Sequence, residues 1–308
     1  MTSTEEATGA ANLIPLAARL PRPIAYVLAG GASYGAVQAG ALRALAKTDL
    51  RPDLVVGTSV GSLNGAVVAE DPDSAADRLS ALWASVTREE VFGSTAAAAL
   101  SVMANRPAAM SNSGLEELIG RAMTSRKFSD LKIPLTAVAT NFDTGDAVGM
   151  SDGDLTSALL ASAAIPGVFP SVLRGGLNLV DGGLVANVPM SFAHEQGAGT
   201  IVVLDCGFTV VAPETADTMF KILMRAVAIM AAQQVRHDLE LCADRTVVYL
   251  PGPWPMKGRP DEFIHSEEYA EAAYELSLQF LKGFEPDGPG RYGYAPVDSL
   301  ADPVHSTN

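Results

Sequence analysis

Asp53-Leu54-Val55-Val56-Gly57-Thr58-Ser59-Val60-Gly61-Ser62-Leu63-Asn64-Gly65-Ala66 is the stretch that decides the fold. It begins as a short apolar run with β-branched residues, turns sharply between glycines, and continues with the spacing of a helix. Gly57 and Gly61 stand two residues on either side of Ser59. Strand and helix can therefore approach closely, leaving that serine at the apex of a strained, exposed elbow with its hydroxyl at a helix N-terminus. A nucleophile would be placed there. Ser62, one helical turn on, reads as a first-turn residue facing the terminal amides.

Outward from the elbow, continuous apolar runs at residues 24–29, 54–56, 135–139, 201–204 and 247–250 predict strands, with weaker ones at 147–150 and 177–180. Runs apolar on both faces belong to a covered, largely parallel sheet. Helical patterns lie between them at 36–46, 62–68, 74–86, 114–123, 155–163, 189–196, 215–242 and 267–282. The alternation predicts an α/β fold, a three-layer α/β/α architecture with a mostly parallel central sheet. Asn141-Phe142-Asp143-Thr144-Gly145-Asp146 reads as a hairpin turn, which makes Asp143 and Asp146 turn residues. The Ala-rich stretch 92–110 has weak periodicity and fits either a cover over a site or a surface excursion.

The chain has 308 residues, 48% hydrophobic and 18% charged, enough for a sizeable core. We expect one domain over residues 21–285, a flexible leader at 1–20 and a C-terminal tail at 286–308. A net charge of -14 argues against nucleic-acid partners and gives no general attraction to anionic membranes. Cys206 and Cys242 form no disulfide framework and no metal-ligand spacing, so both read as small core residues. Glu5 and Glu6 stand where a secretory signal carries cations, and no apolar run reaches membrane-spanning length; a cytoplasmic location is the expectation.

Two further loops are rich in glycine. The first strand runs into Gly30-Gly31-Ala32-Ser33-Tyr34-Gly35 and then into a helix. Bare amides at a helix start favour an anion, but the P-loop lysine is missing and Ala32 interrupts a dinucleotide fingerprint. The oxyanion of a tetrahedral acyl intermediate fits better. The third loop, Leu179-Val180-Asp181-Gly182-Gly183-Leu184-Val185-Ala186-Asn187-Val188-Pro189, places an aspartate at the end of a short strand.

A serine nucleophile needs a base, and a histidine is the usual one. His194 and His237 lie within helical patterns, His265 adjoins a helix start and His305 is in the tail. None follows a strand as a triad histidine would. Only one strand precedes the elbow, whereas α/β-hydrolases place several there, so the order argues against that fold.

In three ordered blocks the chain resembles the patatin-like phospholipase family: Gly30, Ala32 and Gly35 match its glycine-rich motif, Gly57, Ser59 and Gly61 its GxSxG, and Asp181, Gly182 and Gly183 its Asp-Gly-Gly. Residues 161–170 are similar to the family segment preceding the aspartate, and the likeness covers residues 24–205. Two departures stand out: Ala32 replaces the central glycine, and Tyr34 stands where many relatives carry Arg or Lys. The methyl group is tolerable if φ at Ala32 is negative.

The resemblance implies a lipid acyl hydrolase with a Ser59–Asp181 dyad, Ser59 as nucleophile and Asp181 as general base and acid, acting through an acyl-enzyme. Backbone amides of the loop formed by Gly30, Gly31, Ala32, Ser33 and Gly35 would hold the oxyanion. No cofactor or metal is implied. The implied partner is a phospholipid or other fatty-acyl ester, with transient contact at a membrane surface; homo-oligomerisation is compatible with the sequence. An acyltransferase using the same dyad, and a lipid-binding or regulatory protein with a weakened site, are the alternative readings. The apolar segment 220–232, with Met219, Met224 and Met230 on the same helical pattern, reads as a core helix or as the lining of an acyl groove.

Overall fold

A computed structural model describes residues 15–94, 104, 108–210 and 219–300. The chain begins with β1 (Ile24–Leu28), α1 (Ala36–Leu45), β2 (Leu54–Thr58), α2 (Val60–Glu70), α3 (Ala75–Ser85), α4 (Arg88–Phe92) and α5 (Ser113–Ala122). It continues through β3 (Leu135–Asn141), β4 (Ala147–Met150), α6 (Leu155–Ser162), β5 (Val172–Arg174), β6 (Leu177–Asp181) and α7 (Met190–Glu195). The last described elements are β7 (Thr200–Leu204), α8 (Met219–Leu241), β8 (Thr246–Tyr249), α9 (Ser266–Lys282) and β9 (Gly290–Tyr292).

Strands β3, β2, β1, β7, β8 and β9 pair in that order, all parallel. Every residue of β1, β2, β3, β7 and β8 is buried. That is what their unbroken apolar runs require, since a strand without a polar face needs cover on both sides. One layer of cover, which includes α1, α2, α3, α5, α6 and α9, packs on Tyr26, Leu28, Val55 and Leu135. The other, including α7 and α8, packs on Ala25, Val27, Val56 and Val203. The three-layer α/β/α expectation holds.

The hairpin at residues 141–146 forms as read: Asn141 N–H donates to the Asp146 carbonyl at 2.8 Å, and Gly145 takes φ 80°. Among the described strands and α-helices, three short ones escape the sequence patterns. Helix α4 has only five residues and owes its start to a capping box between Thr87 and Glu90. Strands β5 and β9 have three residues each, too few for a period to show. Residues 286–300, read as tail, add β9 at the sheet edge and bury Ala295 and Val297 against the core. At the other end, Leu20 of the expected leader is buried. Most of the Ala-rich stretch 92–110 lies outside the described residues, as do residues 1–14, 211–218 and 301–308.

The register at β3 positions the site. Val138 pairs with Thr58 of β2 on one side and Gly149 of β4 on the other. The next residue, Ala139, pairs with Val148 of β4 and with Asp181 of β6. Strands β2 and β6 therefore occupy the same edge of β3 and run toward each other. Their C-terminal ends meet there head to head.

Candidate active site

Ser59 follows β2 directly and Asp181 ends β6, so the meeting of the two strand ends joins them. Ser59 Oγ donates to Asp181 Oδ2 at 2.7 Å. The turn at Ser59 has φ 54° and ψ −128°, a left-handed value that side chains seldom adopt. Three contacts hold it. Its N–H donates to Ser162 Oγ at 2.9 Å, the Ser162 hydroxyl donates to the Val138 carbonyl at 2.6 Å, and Ser62 Oγ donates to the Ser59 carbonyl at 2.7 Å. Ser62 thus serves the elbow's carbonyl rather than the helix amides. A side chain on Gly57 would overlap the Gly61 backbone, and one on Gly61 the carbonyl of Leu28, which is why both flanking positions are bare.

The serine is less open than the elbow geometry leads one to expect: it is 7% exposed and Asp181 6%. The Asp181 side chain accepts from Gly183 N–H at 2.7 Å as well as from Ser59, and its backbone carbonyl accepts from Thr140 Oγ1 at 2.9 Å. Burial pushes its pKa up to about 6, against the opposing pull of the Ser59 and Gly183 hydrogen bonds. Gly182 is bare because a Cβ would overlap the Val138 carbonyl.

The glycine-rich loop lies beside this pair. A side chain on Gly30 would come within 3.3 Å of Ser59 Cβ and 2.6 Å of Asn187 Oδ1, and one on Gly35 within 2.5 Å of Val60 Cγ2. Two loop amides are engaged elsewhere: Gly30 N–H donates to the Asn187 carbonyl and Ser33 N–H to the Pro260 carbonyl, each at 2.9 Å. The expectation that Gly30 and Ser33 offer donors is therefore corrected: the Asn187 carbonyl takes the first hydrogen, and the connection between β8 and α9 reaches over and takes the second. The amides of Gly31 and Ala32 have no hydrogen-bond partner among the described residues. Ala32 has φ 50°, not the negative value that would make its methyl group free of strain. Tyr34 is fully buried, and its hydroxyl donates to the Gly258 carbonyl at 2.9 Å.

An apolar cleft opens from Ser59, walled by Val60, Leu63, Trp83, Phe92, Phe169 and Phe263 among others. It runs between α2, α3, α4, α5 and α6, so the described part of α8 is not its wall. Ile222, Ile229 and Met230 of α8 are exposed, while Ala228, Ala231, Ala232 and Val235 carry its packing. The described histidines have other surroundings: His194 faces Asp244 at 3.2 Å, His265 faces Glu268 at 3.3 Å, and His237 is exposed, while His305 lies outside the described residues. Asp205 is buried behind the glycine loop, where it accepts from the Tyr249 hydroxyl and the Gly207 amide. Asn187, quoted in the third loop without a role, proves to sit between the glycine loop and the aspartate loop. Its place six residues after Asp181, in the same loop, was the available signal.

A family model described as Patatin-like phospholipase matches residues 26–194. Patatin-like phospholipase domain-containing protein 7 of Mus musculus is 31% identical over 187 residues, covering 60% of this chain and 14% of the mouse protein. Lysophospholipase NTE1 of Mycosarcoma maydis is 28% identical over 195 residues, covering 60% of this chain and 10% of that protein. The chain thus spans a small part of the length of these relatives. Among solved structures, VipD from Legionella pneumophila shares the fold, with TM-score 0.51 over 85% of this chain and 67% of its own, at 14% identity.

Proposed function

This chain belongs to the patatin-like phospholipase family, and we propose that it is a lipid acyl hydrolase with Ser59 as nucleophile and Asp181 as general base. The observation that carries the reading is the 2.7 Å hydrogen bond between Ser59 Oγ and a buried carboxylate whose pKa is pushed up to about 6. A carboxylate near pH 6 is a far better base for a hydroxyl than one near its ordinary value.

In this mechanism Asp181 takes the Ser59 proton as Oγ attacks the ester carbonyl carbon. The C–O double bond opens to an oxyanion, which receives hydrogen bonds from the Gly31 and Ala32 amides. The tetrahedral intermediate collapses as Asp181 returns the proton to the leaving alcohol, and the acyl group remains on Ser59. Water then attacks the acyl carbonyl with Asp181 accepting its proton, and the second tetrahedral intermediate collapses as Asp181 returns that proton to Ser59 Oγ and the fatty acid leaves. The oxyanion donors act in a dry site, where each is worth about 3 kcal/mol of barrier. The apolar cleft suits an alkyl chain and shields the base from water.

The test is a panel of phospholipids and lysophospholipids incubated with wild type and Ser59→Ala, read by mass spectrometry of released fatty acid. Release by the wild type alone supports the proposal. No release from any lipid, with Ser59 unlabelled by a fluorophosphonate, rejects it.

A further inference from the structure

The steps just described use none of three polar side chains buried beside the elbow. Gln38 of α1 is fully buried, and its Nε2 donates to the carbonyls of Ala29 at 2.8 Å and Leu204 at 3.0 Å. Its Oε1 accepts from Asn64 Nδ2 at 2.8 Å. Asn64, on the helix that follows Ser59, donates its second amide hydrogen to the Gly35 carbonyl at 3.1 Å. Asn64 Oδ1 in turn accepts from Trp83 Nε1 at 3.2 Å. Both amide hydrogens of each carboxamide are engaged, which fixes the orientation of both groups. Apolar side chains would fill this space without the cost of burying amides, so the network calls for a reason beyond packing.

Its attachment points supply one. Ala29 immediately precedes the glycine loop and Gly35 ends it, so Gln38 and Asn64 grip the loop at both ends. The Ala29–Gly30 peptide is held on both sides, its carbonyl by Gln38 and its N–H by the Asn187 carbonyl. The amides of Gly31 and Ala32, which have no partner among the described residues, follow directly in the chain, so the setting of that peptide helps to aim them. At the far end of the network, Asn64 and Trp83 line the apolar cleft. Trp83 also stacks on Phe263, another wall of the cleft, with ring centroids 6.0 Å apart.

We infer that Gln38 and Asn64 are positioning residues for the glycine-rich loop, and that Trp83 couples the aim of its amides to the acyl chain in the cleft. The inference rests on the acyl-hydrolase reading of the site. A long chain packs on Trp83 and steadies Asn64, Gln38 and the Ala29–Gly30 peptide, so cleft occupancy is expressed in kcat and not only in KM.

The experiment measures kcat and KM for p-nitrophenyl esters from acetate to decanoate in wild type, Gln38→Met and Trp83→Phe, with thermal melts to establish folding. Alongside, the Gly31 amide resonance of ¹⁵N-glycine-labelled protein is followed as decanoate is added. In the wild type kcat should rise with chain length and the Gly31 amide should shift. Gln38→Met should lower kcat by about tenfold or more at every length with KM within about twofold, and Trp83→Phe should flatten the rise and abolish the shift. Folded variants that change KM alone, or a Gly31 amide indifferent to decanoate in the wild type, overturn the coupling. A wild type that hydrolyses no ester rejects the hydrolase reading instead, and the resonance arm then decides the coupling by itself.

Discussion

Asp181 pairs with Ala139 one residue beyond the point where β2 leaves the same edge of β3. Two strands entering one edge from opposite directions place the residues at their ends in contact, and those residues are Ser59 and Asp181. The Ser59–Asp181 contact is thus a property of strand register, and its integrity is sensitive to whatever holds the two ends together.

Removing either member of the pair should abolish turnover. Ser59→Ala and Asp181→Asn are each expected to lower kcat on a chromogenic acyl ester by at least about 10³-fold while circular dichroism stays native. His194→Ala and His237→Ala should keep wild-type rates, since neither ring reaches the pair. A folded but inactive His237→Ala would require a different base.

The pH profile of kcat/KM should show an acid limb with its midpoint near 6, where Asp181 becomes charged. Activity rises with pH through that value because the base works in its ionised form. A midpoint near 4 would mean that the carboxylate is solvated in the working enzyme.

Stability should move the opposite way. The Asp181 pKa is raised in the folded chain from 3.8 to about 6, so folding favours its neutral form. The corresponding stability is fully present below the unfolded value and is lost as pH rises through the folded one, an effect on the order of 2 to 3 kcal/mol. Asp181→Asn, which cannot ionise, should therefore melt higher than wild type at pH 8 and converge with it near pH 4. Denaturant titrations at the two pH values check this.

Ala32→Gly should relieve the strain of a left-handed alanine and stabilise the fold by about 0.5 to 1 kcal/mol, with activity retained because the amide is unchanged. Ala32→Val should reverse the sign, since a β-branched side chain tolerates that conformation least. Melting temperatures and kcat of the two variants give the answer.

Gly182→Ala should lose about 1 to 3 kcal/mol and more than tenfold in kcat, because its methyl group would displace the Val138 carbonyl and with it the Asp181 strand end. Gly120→Ala is the matched control. Nothing lies near its Cβ position, and within α5 the change should stabilise by up to about 1 kcal/mol.

The sequence by itself determined the layers of the fold and marked the two turns that carry Ser59 and Asp181. Runs apolar on both faces demand a sheet covered on both sides. Glycines around Ser59 and after Asp181 mark sharp turns that few other residues permit, and those are local signals written in consecutive residues. Gln38 and Asn64 were visible only as polar residues on largely apolar helices, Ser162 only as a serine among alanines. Which loop amides lack a partner among the described residues, how deeply the serine lies, and that Ala32 takes a positive φ were decided by the tertiary structure alone. The amides of the site are set by partners distant in the chain: Pro260 on Ser33, Asn187 on Gly30, Ser162 on Ser59. The raised pKa of Asp181 has the same origin, because desolvation belongs to the packed surroundings and not to the carboxyl group itself.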